Sequence, residues 1–170
     1  MRLLFEIDTK DYDINGTKCY RPSSRAIIIK DNKVAMVHSL KYDYFKFPGG
    51  GIDKGESQIE ALKRETKEEA GLIVKDSSIK EFGMVYRIQK GEFEDVFIQD
   101  NFYYLCEVED SITTQNLDSY EEEASFTLEY VNPKLAIKAN RNYKPKNNDL
   151  EYEREAKVLE ILINEGYLTE

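Results

Sequence analysis

The chain has 170 residues, 34% of them charged, with 33 acidic against 24 basic side chains and a net charge of −9. That length suits one domain spanning 1–170, long enough to bury about two-thirds of its unfolded surface. The acidic balance argues against a duplex nucleic-acid partner, which needs clustered Lys and Arg, but it leaves room for a small phosphorylated ligand whose charge is met by divalent cations.

The N-terminal stretch reaches Glu6 and Asp8 after only a few apolar residues, so it does not read as a signal peptide. The longest apolar run, Ala26–Ile29, is a strand at most. The expectation is a cytoplasmic protein without a membrane segment. Cys19 and Cys106 lie far apart with no Cys or His beside them, which reads as two reduced thiols.

Leu3 to Ile7 is the first expected strand, followed by a polar stretch holding the turn pair Asn15-Gly16. Ala26–Ile29 and Val34–Val37 read as two strands joined by a tight hairpin at Lys30–Lys33. His38 at the end of the second reads as a half-buried strand residue. Tyr44–Phe47 alternates and stops at Pro48, where three glycines begin.

Ser57 to Ala70 is the clearest helix: Ile59, Leu62, Thr66 and Ala70 make one apolar stripe, and Gly71 ends it. Ile79–Gln89 and Glu92–Glu107 are rich in β-branched and aromatic residues around Lys90-Gly91, which predicts a long hairpin. Asp110–Tyr120 reads as a loop, Ala124–Val131 as a strand, and Pro133 as the opening of a short helix through Ile137. Residues 140–148 read as a polar linker, and Asn148 with Glu151 as the cap of a last helix ending near Glu165. Strands around a central helix, with helices at the end, predict an α/β or α+β sandwich.

The central helix carries the chemistry. Glu65, Glu68 and Glu69 fall in one arc of roughly 100° beside the apolar stripe, although Glu65 and Glu69 repel each other at i,i+4 and negative charge is disfavoured near a helix C-terminus. A solvated acidic face balanced by Lys63, Arg64 and Lys67 would account for such a helix alone. The loop Pro48-Gly49-Gly50-Gly51 changes that reading, because it lets backbone approach a ligand without side chains in the way, and Glu56 adds a carboxylate just before the helix. Oxygen donors of this kind suit Mg²⁺ or Mn²⁺ far better than zinc.

Set out in full, Gly50, five positions, Glu56, seven positions, Arg64-Glu65, then Glu68-Glu69 and Gly71-Leu72 resembles the signature of the Nudix hydrolases (MutT-like). The segment covers 23 residues, and its departure is Thr66, where the family prefers an aliphatic residue. The resemblance implies the Nudix fold, a mixed β-sheet sandwiched between helices (α/β/α), with the signature as loop-helix-loop. It implies Mg-dependent cleavage of the pyrophosphate bond in a nucleoside diphosphate linked to another moiety X. A non-catalytic nucleotide-binding module is the alternative, though such relatives typically lose motif glutamates and none is missing here.

Residue by residue, the resemblance maps metal binding onto Glu68 and Glu69 and a metal ligand or general base onto Glu65. Arg64 would orient those carboxylates with support from Glu56, and the Gly50 carbonyl would be a further ligand. A late acidic residue would come from Glu121, Glu122 or Glu123, with Glu122 taken as the candidate, and Arg25 would touch phosphate. Tyr42, Tyr44, Phe45, Tyr86, Tyr103 and Tyr104 read first as core or cross-strand aromatics and second as base-stacking surfaces. The region Tyr86-Arg87-Ile88 lacks the proline often found in members that cleave ADP-ribose. The last helix, with Val158, Leu159, Ile161 and Leu162, is open to two uses: covering the core or pairing two subunits.

Overall fold

Residues 1–145 and 150–169 are described by a computed structural model. In chain order its elements are β1 (Leu3–Asp8), β2 (Lys18–Tyr20), β3 (Ser23–Ile27), β4 (Ile29–Lys30), β5 (Lys33–Ser39), β6 (Tyr44–Lys46), β7 (Gly49–Gly51) and α1 (Gln58–Ala70). They continue with β8 (Leu72–Val74), β9 (Lys80–Gln89), β10 (Val96–Leu105), β11 (Val108–Ile112), α2 (Ser119–Glu123), β12 (Phe126–Val131), α3 (Pro133–Asn142) and α4 (Glu151–Asn164).

The β9–β10 hairpin is the spine of a mixed six-stranded sheet, ordered β1-β9-β10-β3-β7 with β2 also on β10. Strands β1, β2 and β3 join it in parallel, and β7 closes against β3 antiparallel. A second, antiparallel sheet is built on β5, which pairs with β12, β4 and β6. Strands β8 and β11 form a two-stranded ribbon.

Period-2 alternation explains the layers. Ala26, Ile28, Ala35 and Val37 share a core cluster with Leu62 and Ala70 of α1. Their sequence neighbours Ile27, Val34 and Met36 share the other cluster with Val158, Leu159 and Leu162 of α4. The central strands are thus buried on both faces, which is why they read as unbroken apolar runs, and the architecture is the expected α/β/α sandwich. Helix α4 covers the core, with Val158, Leu159 and Leu162 fully buried.

Local chemistry sets the boundaries. Ser57 Oγ accepts from Glu60 N at 3.2 Å while Glu60 returns the contact to Ser57 N at 2.8 Å, a capping box that starts α1. Gly71, at φ 67°, ends that helix in the left-handed region. Asp31 and Asn32 both take positive φ, 50° and 58°, as a two-residue hairpin turn requires.

Several expectations are corrected. The Ala26–Ile29 strand is two pieces: β3 serves the six-stranded sheet, and β4 turns into the sheet of β5. The loop expected at 110–120 is strand to Ile112 and helix from Ser119, and α3 runs on to Asn142, into the expected linker. The cap assigned to Asn148 lies outside the described residues; α4 starts after Leu150 with no side-chain cap. Among the described residues no helix is long and apolar enough to cross a membrane.

Candidate active site

Strand β7 is the glycine loop itself, paired residue for residue with β3: Gly51 with Ser23, Gly50 with Ser24, Gly49 with Arg25. The fit is close enough to demand glycine. A Cβ on Gly49 would stand 2.2 Å from the Ser24 carbonyl oxygen, and one on Gly50 would stand 2.5 Å from the Glu65 carboxylate. The loop backbone therefore presses against the carboxylate face of α1.

Arg64 organises that face. Its Nε and Nη2 grip the two oxygens of Glu56 at 2.8 and 2.9 Å, a bidentate fork. Nη1 donates to Glu65 at 2.6 Å and to Glu68 at 3.2 Å, and Nη2 also reaches the Gly51 carbonyl at 3.0 Å. The hydrogen bond from Arg64 holds Glu56 below the ordinary carboxylate range. Burial raises Glu65 despite the pull of Arg64, and the charges of Glu69 and Glu68 add to the rise. Arg64 itself is held protonated by its carboxylate neighbours.

Glu69 does not share the exposure of Glu68. It is buried, with Lys46 Nζ at 2.6 Å and Gly49 N at 3.1 Å donating to it. Burial, with Glu121 adding to it, pushes Glu69 up to about 7 even though Lys46 opposes the rise. The protein's own cations thus leave this carboxylate short of positive charge.

Glu122, the late acidic candidate, is exposed, and the one-turn helix α2 instead buries Glu121 and lines the cavity with it. The reason is local: Glu121 is the third residue of a capping box with Asp118, which turns it inward. Arg25 is buried, its guanidinium donating to the carbonyls of Phe47 (3.3 Å) and Gly49 (3.4 Å) and pairing with Glu151 at 3.2 Å. It lines the cavity while bracing the glycine loop, and its Nε has no partner among the described residues.

Behind the loop stands a buried polar network from α4. Arg154, 1% exposed, donates to Glu155 (2.9 Å), Asn101 (2.9 Å), Gln99 (3.2 Å) and Glu151 (3.0 Å). Glu155 in turn accepts from Phe47 N at 2.7 Å and the Tyr103 hydroxyl at 2.8 Å. The whole encloses a cavity of about 700 Å³ that Glu65, Glu69, Glu121 and the three glycines line at one end.

The ligands that the resemblance names, Glu65, Glu68, Glu69 and the Gly50 carbonyl, offer only oxygen, the chemistry of a hard divalent cation, and of these residues Gly50, Glu65 and Glu69 line the cavity. The raised Glu65 and Glu69 fit such an ion. In the structure their positive charge comes instead from Arg64 and Lys46, and among the described residues no three acidic, His or Cys side chains stand close enough to form a preset metal cluster.

Comparison with known proteins agrees with this geometry. The family model for the NUDIX domain matches residues 20–147. The chain belongs to the NUDIX family. Among curated relatives of this NUDIX chain, an RNA pyrophosphohydrolase of a Nitratiruptor species is 48% identical over 60 residues, 32% of this chain and 39% of that protein. An ADP-ribose pyrophosphatase of Methanocaldococcus jannaschii is 43% identical over 56 residues, 31% and 33% of the two chains. These matches span only about a third of each relative's length. Among solved structures, the MutT protein of Bacillus halodurans shares the fold at a TM-score of 0.55 and 22% identity, covering 70% of this chain and 72% of that one. A MutT Nudix hydrolase of Burkholderia pseudomallei does so at 0.53 and 15%, covering 82% and 97%.

Sequence reasoning missed the site roles of Lys46, Glu151 and Arg154, and it named Glu121 only as one of three late acidic candidates. The signal for Arg154 and Glu155 was present: with Val158, Leu159 and Leu162 they occupy the apolar stripe of α4, where a charge needs a partner. Lys46 gave a similar signal, a cation inside the aromatic run Tyr44–Phe47.

Proposed function

We propose that this NUDIX domain is a divalent-metal-dependent hydrolase, with Mg²⁺ or Mn²⁺, that cleaves the pyrophosphate bond of a nucleoside diphosphate linked to another moiety. The observation that carries the reading is the Arg64-held carboxylate face pressed against the glycine loop at the end of a large cavity. Names borne by partial relatives, RNA pyrophosphohydrolase and ADP-ribose pyrophosphatase, support the same reaction type.

A divalent cation held by Glu68, Glu69 and the Gly50 carbonyl would supply neutralisation of phosphate charge and a lowered pKa for attacking water. The chain's own part is positional. Water oxygen bonds to phosphorus as the bridging P–O bond breaks, the bridging oxygen leaves as phosphate, and the water proton passes to a carboxylate. Glu65 is the proposed acceptor: it is half-buried, lines the cavity, and burial raises its proton affinity above that of an ordinary carboxylate. Arg64 keeps Glu65 and Glu68 aimed at the loop, and Glu56 fixes Arg64. Glu121, beside Glu69, is the late acidic residue in this scheme.

Formation of nucleoside monophosphate and phosphorylated products from a nucleotide panel, separated by chromatography, with and without Mg²⁺ or Mn²⁺, tests the reading. E65Q and E69Q should lose turnover by about 10²-fold or more while keeping the circular dichroism of the parent. Full activity in E65Q would remove Glu65 from the chemistry. Nucleotide binding with no cleavage product from the parent would favour a sensing module instead.

A further inference from the structure

The cavity gathers six basic side chains, Arg21, Arg25, Lys46, Arg87, Lys90 and Arg154, a quarter of the chain's 24. Seven acidic side chains line the same cavity, so what matters is which of the cations they leave unmet. Much of the positive charge is already met: Arg25 and Arg154 pair with Glu151, and Lys46 with Glu69. Arg21 and Lys90 differ. Among the described residues neither side chain has a hydrogen bond or ion pair, although Asp11 and Asp95 feel the charge of Lys90.

The strand register shows where they stand. Strand β2 joins β10 in parallel with Tyr20 against Ile98, and the next amide, Arg21 N, donates to Ile98 O at 3.0 Å. The following position on β10 is Gln99, which is paired across the hairpin with Arg87. Arg21, Gln99 and Arg87 therefore form a row across three strands, about 10 Å from end to end at the usual strand spacing.

The row starts at the glycine loop, because a Cβ on Gly51 would lie 3.4 Å from Arg21 Nε. It leads away from Glu65 toward Lys90 in the hairpin turn. Two acidic side chains line this end: Asp11, which already accepts from Thr9 Oγ1 and from Lys90 N at 2.9 Å, and Glu92, exposed at the rim.

We propose that this row is a subsite for phosphates beyond the scissile linkage. The preferred substrate is then a nucleotide bearing a chain of three or more phosphates, and a nucleoside diphosphate joined to a neutral sugar is a poor one. Guanidinium forks bind phosphate oxygens in pairs, and two cations without protein partners gain most from an anion placed between them. The inference rests on the hydrolase reading for its substrate, but not for its binding site.

Two measurements separate them. Turnover of diadenosine tetraphosphate, ATP and ADP-ribose is compared in the parent, R21A, K90A, R21A/K90A and R21K with Mg²⁺. The parent should favour the tetraphosphate over ADP-ribose at least tenfold in kcat/KM. The double variant should lose about tenfold of that ratio, mainly through KM, and R21K should retain part of it. Separately, calorimetry follows inorganic tripolyphosphate binding to the E65Q protein with and without the R21A/K90A pair. Affinity should fall about tenfold and its salt dependence should flatten. A parent that prefers ADP-ribose, a selectivity ratio that R21A/K90A leaves in place, or equal tripolyphosphate affinity would overturn the subsite. Absence of turnover on every substrate would overturn the hydrolase reading alone, with the tripolyphosphate result still deciding the row.

Discussion

Thr66 offers the cleanest test of the packing behind the site. It is fully buried on α1, between Leu62 and Ala70, and its hydroxyl oxygen has no hydrogen-bond partner among the described residues. Valine has nearly the same shape and a similar helix propensity, so T66V exchanges a stranded hydroxyl for a methyl group at almost constant volume. Burying an unpaired hydroxyl costs about 1–3 kcal/mol in proteins. Allowing for imperfect repacking, T66V should be more stable by about 1–2 kcal/mol, which for a domain of this size raises Tm by about 2–8 °C. Urea unfolding followed by circular dichroism gives the number directly, as a higher midpoint at unchanged slope. Equal or lower stability would refute the reasoning, since it would mean the hydroxyl has a partner in solution, such as the carbonyl one turn back. This is also the position where the signature departs from its aliphatic preference, so the gain should come with activity retained.

G50A should cut kcat at least tenfold, because its Cβ displaces the Glu65 carboxylate it would meet at 2.5 Å; steady-state kinetics with a normal far-UV spectrum would show it. K46M leaves Glu69 buried without its cation and should cost about 3–5 kcal/mol in urea unfolding, with much of that regained in K46M/E69L. Glu151 supplies a pH test. Burial would raise it, but Arg154, Arg25, Lys46 and Arg87 hold it down to about 2. A depressed carboxyl stabilises the fold above its unfolded value near 4.5, and that contribution is lost as pH falls from there toward 2. In E151Q, unfolding midpoints measured between pH 5 and 2 should therefore decline less steeply than in the parent.

Legibility followed sequence distance. The α1 boundaries, the hairpins and the carboxylate face could be read because caps, stripes and turns are written within a few neighbouring residues. The short strands β2, β7, β8 and β11 could not, since three to five residues carry no period of their own and owe their pairing to partners far along the chain. The site divided the same way. Glu56, Arg64, Glu65 and Glu68 meet within one local segment. Glu69 was legible as part of the helix, but not as the buried partner of Lys46, 23 residues earlier. The choice between Glu121 and Glu122 turned on a one-turn helix whose cap, Asp118, sat in a stretch too polar to suggest regular structure.

Glu155 hydrogen-bonds the backbone of Phe47, two residues ahead of the glycine loop, and Arg25 reaches from that loop to Glu151. The family match stops at residue 147 and α4 begins at 151. A fragment cut where the resemblance ends would keep every signature residue, yet lose the back wall that holds their loop in place. For anyone designing truncations, chimaeras or C-terminal fusions of this protein, the working unit reaches through α4, and its last helix is the keystone of a site whose recognisable letters all lie far upstream.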